Sequence, residues 1–256
     1  MLKAWAIYRR ELAYYFQSPV AYAVIAIFLL LAGYFFYNLL GYFNIASMQA
    51  MQNPLQAGSL SLTTSVLQPL LGNLSTVLLL LLPLLTMRLF AEERRSGAAE
   101  LLFTFPVSDL SVIRGKFSAA VTVYLVMLAM TLPYPALLYH FGNPEPGPIV
   151  SGYLGLFLMG VAFIAMGTFF SSFGDSQLVA AAATFGCGLL FLIIGWMTPF
   201  VSSRVGAVFD QLSVLRHLDG FARGVIDTND LVFYAGLIVF FLFLCARVLD
   251  SERWRS

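Results

Sequence analysis

Apolar residues fall in six long blocks, at about 20–40, 70–87, 117–139, 149–170, 178–200 and 231–249, separated by shorter polar segments. A helix rising 1.5 Å per residue needs roughly 20 apolar residues to cross about 30 Å of hydrocarbon, and each block is near that length. Asp, Glu, Lys, Arg and His are missing from them, apart from Arg247 at the end of the last. The runs are continuous, without the ten-residue alternation of a barrel, so helices are the structure that satisfies every backbone group in lipid. The pattern predicts an all-α integral membrane protein with six transmembrane helices, forming a single domain over 1–256.

The polar segments refine this outline. In 1–19, Trp5, Tyr8, Leu12, Tyr15 and Phe16 share one face of a helical wheel, and Lys3, Arg10 and Gln17 the opposite one. This predicts an N-terminal interfacial amphipathic helix, anchored in the headgroup layer and compatible with docking a partner. The apolar block after it is too long for a signal peptide and no small-residue cleavage site follows, so the segment is expected to stay. Basic residues favour cytoplasmic loops. Lys3, Arg9, Arg10, Arg88, Arg94, Arg95, Arg114, Lys116, Arg247, Arg253 and Arg255 fall on one side, and Arg204, Arg216 and Arg223 on the other. Both termini are therefore expected in the cytoplasm. The uncharged segment 41–67 reads as an outward excursion, 140–148 as a tight outward turn, and 171–177 as a short inner link with Gly174 and Asp175 ending one helix and starting the next.

Two segments concentrate information. The cytoplasmic stretch 88–116, RLFAEERRSGAAELLFTFPVSDLSVIRGK, holds nine of the chain's twenty-seven charges. Glu92, Glu93, Arg94 and Arg95 form a charged helical turn that Gly97 can relax. Leu101, Leu102, Phe103 and Phe105 then offer an apolar edge, before Ser108–Asp109 starts a new helix. Apolar surface ringed by charge suits a docking site; the alternative is an interfacial elbow whose charges sit in water. The outer segment 201–230 places Val205, Val208, Leu212, Leu215, Leu218, Phe221 and Val225 at helical spacing among interleaved charges. That predicts a helical hairpin at or dipping into the outer interface, either a structural cap or an outer gate, with Asp227 or Thr228 capping the last span.

Composition narrows function further. The chain is 60% hydrophobic and 11% charged, with a net charge of +1 and a mean hydropathy of +0.85; scattered basic residues leave no nucleic-acid stripe. Cys187 and Cys245 lie in apolar blocks, as buried thiols do. No phosphate-binding G-x-x-x-x-G-K-[ST] loop, H-E-x-x-H or G-x-S-x-G motif occurs, and His140 and His217 read as isolated loop residues. The charge-free spans disfavour a carrier driven by protons or sodium. Work across the membrane would then draw energy from another subunit; a non-transporting scaffold is the alternative. Inside the spans Ala180, Thr184 and Gly188 form a small-residue packing face, and Pro83, Pro133 and Pro135 predict kinks.

The amphipathic start RRELAYYFQSPVAY, the six spans, the inner segment FAEERRSGAAELLFTFPVSDLSVIRGK and the outer HLDGFARGVID together resemble the permease subunits of type-2 ABC exporters. Within that family the chain is similar to the gliding-motility-type permeases and to the permease that supports nitrous oxide reductase maturation. The resemblance implies a coupling helix at Glu92, Glu93, Arg94, Arg95, Gly97, Glu100, Leu101 and Leu102, inserted into a separate ATP-binding subunit and flanked by the 5–16 helix. It implies two copies of that subunit, which bind ATP and magnesium, so no cofactor or catalytic residue is expected on this chain. It further implies a second permease chain, identical or related, in the inner membrane, a re-entrant outer hairpin gated by Leu212, Leu215, Leu218, Phe221 and Val225, and in some members an extracytoplasmic partner protein.

Overall fold

The computed structural model describes residues 2–52, 61–95, 97, 108–142 and 144–253. Among these the elements are α1 (Leu2–Gln17), α2 (Pro19–Gln52), α3 (Gln68–Thr86), α4 (Ala91–Arg95), α5 (Asp109–Ala129), α6 (Pro133–Phe141), α7 (Pro146–Ser171), α8 (Gln177–Ile193), α9 (Ser203–Leu212), α10 (Val214–Ala222) and α11 (Thr228–Arg253). A π turn, Thr63–Leu67, leads into α3, and a 3-10 turn, Ile194–Phe200, closes α8. Among the described residues six stretches are long and apolar enough to span a membrane: Pro19–Met51, Thr63–Arg95, Asp109–His140, Pro146–Ser171, Gln177–Thr198 and Thr228–Ser251. The chain is an all-α, multi-pass membrane protein.

Several boundaries differ from the apolar blocks. The outward excursion expected at 41–67 is helical up to Gln52, because Ala46, Met48, Gln49, Ala50 and Met51 are good helix formers and polarity alone does not stop a helix. The 178–200 block tightens to 3-10 geometry over its last seven residues, where Pro199 cannot donate to a carbonyl four residues back. At the 171–177 link the cap of α8 is Ser176, whose hydroxyl accepts from Val179 N–H at 3.4 Å, and not Asp175. Asp227 does cap α11, accepting from Asn229 N–H at 3.0 Å. Both histidines, expected in loops, lie on helices: His140 on α6 and His217 on α10.

The prolines act differently from one another. Helix α3 runs on through Pro83, whereas α5 stops at Ala129 and α6 restarts at Pro133. Pro135 has no N–H for the Thr131 carbonyl, which accepts from the Tyr134 N–H and from the Tyr153 hydroxyl of α7, each at 3.0 Å. Leu132 N–H takes the Ala129 carbonyl that Pro133 cannot, at 3.1 Å. The two carbonyls that these prolines cannot serve thus keep partners, as a membrane interior favours.

Helix α7 is the centre of the bundle, with α3, α5, α8, α10 and α11 packed on it. The spans containing α3 and α7 are each 72% buried over their most apolar window, against 28% for the α2 and α8 spans and 17% for the α11 span, so the last three keep most of their surface outside the bundle. Close packing on α7 depends on small residues. A Cβ at Gly155 would lie 2.7 Å from the Phe221 Cβ, and one at Gly160 would run into the Tyr124 ring, whose hydroxyl donates to the Leu156 carbonyl at 2.6 Å. The small-residue face read on α8 is buried as expected, Ala180 and Thr184 at 4% and 2% exposure, with Gly188 against Leu79 of α3. Cys187 and Cys245 are free thiols. The α3–α4–α5 connection marks one end of the bundle, the elbow end; α9 and α10 mark the other, the hairpin end.

Candidate functional site

At the elbow the chain leaves α3 and turns through Met87, Arg88, Leu89 and Phe90 into α4. Leu89, Phe90 and Ala91 are buried, so the turn packs into the bundle. Ser171, the last residue of α7, holds it there: its hydroxyl accepts from the N–H groups of Phe90 (3.0 Å) and Ala91 (3.3 Å) and donates to the Met87 carbonyl (3.0 Å). A neighbouring helix thereby caps α4, whose free N–H groups would otherwise lack partners. Acids at its start, Glu92 and Glu93, and bases at its end, Arg94 and Arg95, complement the helix dipole.

The charges on α4 do not all point to water. Lys116, immediately before the apolar part of α5, is 1% exposed, and its Nζ lies 3.1 Å from Glu11 Oε1 of α1 and 3.0 Å from Glu93 Oε1 of α4. Arg10 closes the group from outside, at 2.6 Å from Glu93 and 3.0 Å from Glu11, and the Phe90 ring centroid sits 5.2 Å from the Lys116 ammonium. Two cations and two carboxylates balance, which is the condition for burying such charges. A second link uses Arg88. It pairs with Glu92 at 3.2 Å, donates to Ser18 Oγ at 2.7 Å, and stacks its guanidinium over the Tyr14 ring, while the Tyr14 hydroxyl donates to Glu92 at 2.7 Å. Tyr14's phenol is held above its usual pKa, first by that hydrogen bond and then by burial.

The apolar edge read as a docking site, Leu101, Leu102, Phe103 and Phe105, lies outside the described residues, and the charged turn beside it is not wholly in water. Glu92 and Glu93 are turned back onto α1, and α1, α3, α4 and α5 form one braced unit. Arg95 and Gly97 are exposed, with Gly97 at φ +73° ending the turn. Arg94 is half-buried; Glu100, Leu101 and Leu102 lie outside the described residues.

Helix α1 packs along α5, and its inward face is shifted from the one read on the wheel. Tyr15 is buried and donates to the Leu85 carbonyl of α3 at 2.9 Å, and Tyr8 and Leu12 are half-buried, but Trp5 and Phe16 are exposed. Glu11 and Ile7 take the inward positions instead. Lys116 makes a buried Glu11 tolerable, and the wheel, which sorts residues by hydrophobicity, had no means of finding that pair.

At the hairpin end α9 and α10 meet at Ser213, whose hydroxyl caps α10 by accepting from Arg216 N–H at 3.4 Å. The candidate gate residues are divided. Leu218 and Phe221 are buried against the bundle at 3% and 0% exposure, while Leu212 and Val225 are exposed and Leu215 is half-buried. Phe221 rests on Gly155 and its carbonyl accepts from Ser151 at 2.6 Å, so α10 dips about 13 Å along α7 from Pro146. Gly224, at φ +93°, reverses the chain beside Pro148. His217, which carried no signal in the sequence, ties α10 to α11: Nδ1 is 2.6 Å from Asp230, Nε2 is 3.0 Å from the Gln211 carbonyl, and its ring stacks on Phe233 at 4.0 Å. Among the described residues no three His, Cys, Asp or Glu side chains gather in a metal-binding group.

A family model described as ABC-2 family transporter protein matches residues 44–213, well over half of the chain. The chain belongs to the ABC-2 transporter family. No curated protein matches it. The ABC-2 region begins inside α2, takes in the elbow and all of α7 and α8, and ends just after α9. As an ABC-2 permease component, the protein belongs to a class whose membrane subunits partner an ABC ATP-binding subunit and are generally not themselves catalytic. Glu93 and Lys116 lie inside the ABC-2 region, whereas Arg10 and Glu11 lie outside it, on α1.

Proposed function

We propose that this chain is the permease subunit of an ATP-driven ABC exporter or mechanotransmitter of the gliding-motility or nitrous-oxide-reductase-maturation type. Two permease chains, identical or related, form the conduit, and two separate ATP-binding subunits hold ATP and magnesium and hydrolyse it. The elbow end and both termini face the cytoplasm of the inner membrane, in keeping with the basic residues gathered there. The observation that carries the reading is the braced elbow. A lever passes on motion only if it does not flex, and the Lys116–Glu93–Glu11–Arg10 group with the Ser171 cap makes α4 rigid against α1, α5 and α7. Contact with the ATP-binding subunit then falls to Arg94, Arg95 and the segment after Gly97, with Glu92 and Glu93 as bracing. At the other end Leu212 and Val225 are the gate positions open to a second permease chain or to an extracytoplasmic partner.

The test is gentle purification from native membranes, with the bound chains identified and counted by mass spectrometry. A stoichiometric P-loop ATPase with two permease chains is expected. Recovery of this chain alone, or with outward-facing proteins and no ATPase, would replace the reading with a membrane scaffold.

A further inference from the structure

Where α1 crosses α5, an open groove runs along the flank of α1 opposite Arg10 and Tyr14. Its floor is Gly115, where a Cβ would lie 2.7 Å from Ile7 Cγ2 and 3.1 Å from the Ala4 carbonyl. The two helices therefore touch nearly backbone to backbone, and the side chains on either side of the crossing splay apart. One wall is aromatic, with Trp5 stacked on Tyr8 at 5.2 Å between ring centroids and Tyr8 fixed to α5 by its hydrogen bond with Thr122 at 3.1 Å. The other wall is the stripe Ser111, Arg114 and Ser118 on α5. The space is about 540 Å³, within the usual range for ligand clefts of roughly 300–1,000 Å³.

The chemistry of the lining is one-sided. Arg114 is exposed, and among the described residues no carboxylate lines the groove; Arg9, one turn after Trp5, adds a second exposed cation nearby. Ser111 and Ser108 share one hydrogen bond at 2.7 Å, which leaves one of the two hydroxyl protons to donate elsewhere. Arg114 lies about 4.5 Å along the helix from Phe117, where the apolar run begins, so it sits at headgroup depth, and Trp beside a cation is typical of that layer. From Ser118 onward the span exposes Leu125 on α5 and then Leu132 in the break after it, an apolar track leading from the groove into the hydrocarbon.

We propose that this groove is a binding site for one anionic phospholipid. The phosphate pairs with the Arg114 guanidinium and a serine hydroxyl, the glycerol lies against Trp5, and an acyl chain follows the Leu125 track. A net-negative headgroup is preferred over a zwitterionic one, because the quaternary ammonium of the latter would lie among cations, with no carboxylate among the described lining residues. The lipid ties α1 to α5 on the side that the ion group does not reach.

The test is native mass spectrometry of the full, delipidated chain in mild detergent, with phosphatidylglycerol and phosphatidylcholine of matched acyl chains added separately. One phosphatidylglycerol is expected to be retained about tenfold better than phosphatidylcholine: the phosphate is common to both, and only phosphatidylcholine sets a fixed cation beside Arg114. Arg114→Gln should abolish that preference, and Arg204→Gln at the hairpin end should leave it unchanged. Equal retention of the two lipids by the unaltered chain, or full preference surviving Arg114→Gln, overturns the proposal. Protection against heat by inorganic phosphate alone, equal to that by phosphatidylglycerol, would show a free-anion site and overturns the lipid assignment.

Discussion

Replacing Lys116 by methionine removes the buried ammonium between Glu11 and Glu93 while keeping most of the side chain's volume. Breaking a buried ion pair by deleting one partner costs about 3–5 kcal/mol, because the remaining charge is left uncompensated. Arg10 still reaches both carboxylates, but its side chain is 60% exposed, and a pair so open to solvent contributes about 1 kcal/mol or less. The expected loss is therefore near the lower figure, about 3 kcal/mol, which for a chain of this size lowers Tm by roughly 6–12 °C. Melting of the purified permease, followed by size-exclusion chromatography after heating, measures it. Lys116→Met combined with Glu11→Gln leaves Glu93 on Arg10 alone and should recover at least half of the loss, since removing both members of a buried pair is far milder than removing one. Arg10→Gln should cost about 1 kcal/mol at most. If Lys116→Met melts within about 2 °C of the unaltered protein, or if Arg10→Gln is as damaging, the group is not a buried brace and the reasoning fails.

Further outcomes follow from the same contacts. Glu93→Arg turns a balanced group into one with three cations and one carboxylate, and should reduce the yield of folded permease; Glu92→Gln, at a side chain 36% exposed, should cost under about 1 kcal/mol, and comparable yields for the two would show that both face water. Gly160→Val puts side-chain atoms into the Tyr124 ring and should destabilise by about 1–3 kcal/mol or more, read as early aggregation on heating, whereas Gly186→Val, where nothing lies within 4 Å of a Cβ, should behave as the unaltered chain does. Tyr234→Phe removes the hydroxyl that donates to the Val214 carbonyl at 3.0 Å, a loss of about 1 kcal/mol that should speed hydrogen exchange in α10 while leaving α7 unaffected.

The transmembrane architecture was legible because it is a local property: an apolar run either has the length to cross hydrocarbon or does not, and no distant residue changes that. The same holds for the start of α5 at Ser108–Asp109, the Asp227 cap and the small-residue face of α8. Boundaries in uncharged polar sequence were less so, since Gly41 to Gln52 can be loop or helix by composition and follows α2 because nothing stops it. The site divided along the same line. That charge concentrates at 88–116 is visible in the chain, but that Glu93 and Glu11 converge on Lys116 is not, because the Lys116–Glu11 pair spans 105 positions and exists only where α1 crosses α5. Periodicity states which side of a helix is apolar; it does not state which neighbour that side meets. Hence Leu218 and Phe221 could look like part of a gate while both are buried in the bundle, Phe221 against Gly155, and Ser171, an ordinary helix-ending serine by sequence, became the cap of α4 only once α7 stood beside the elbow.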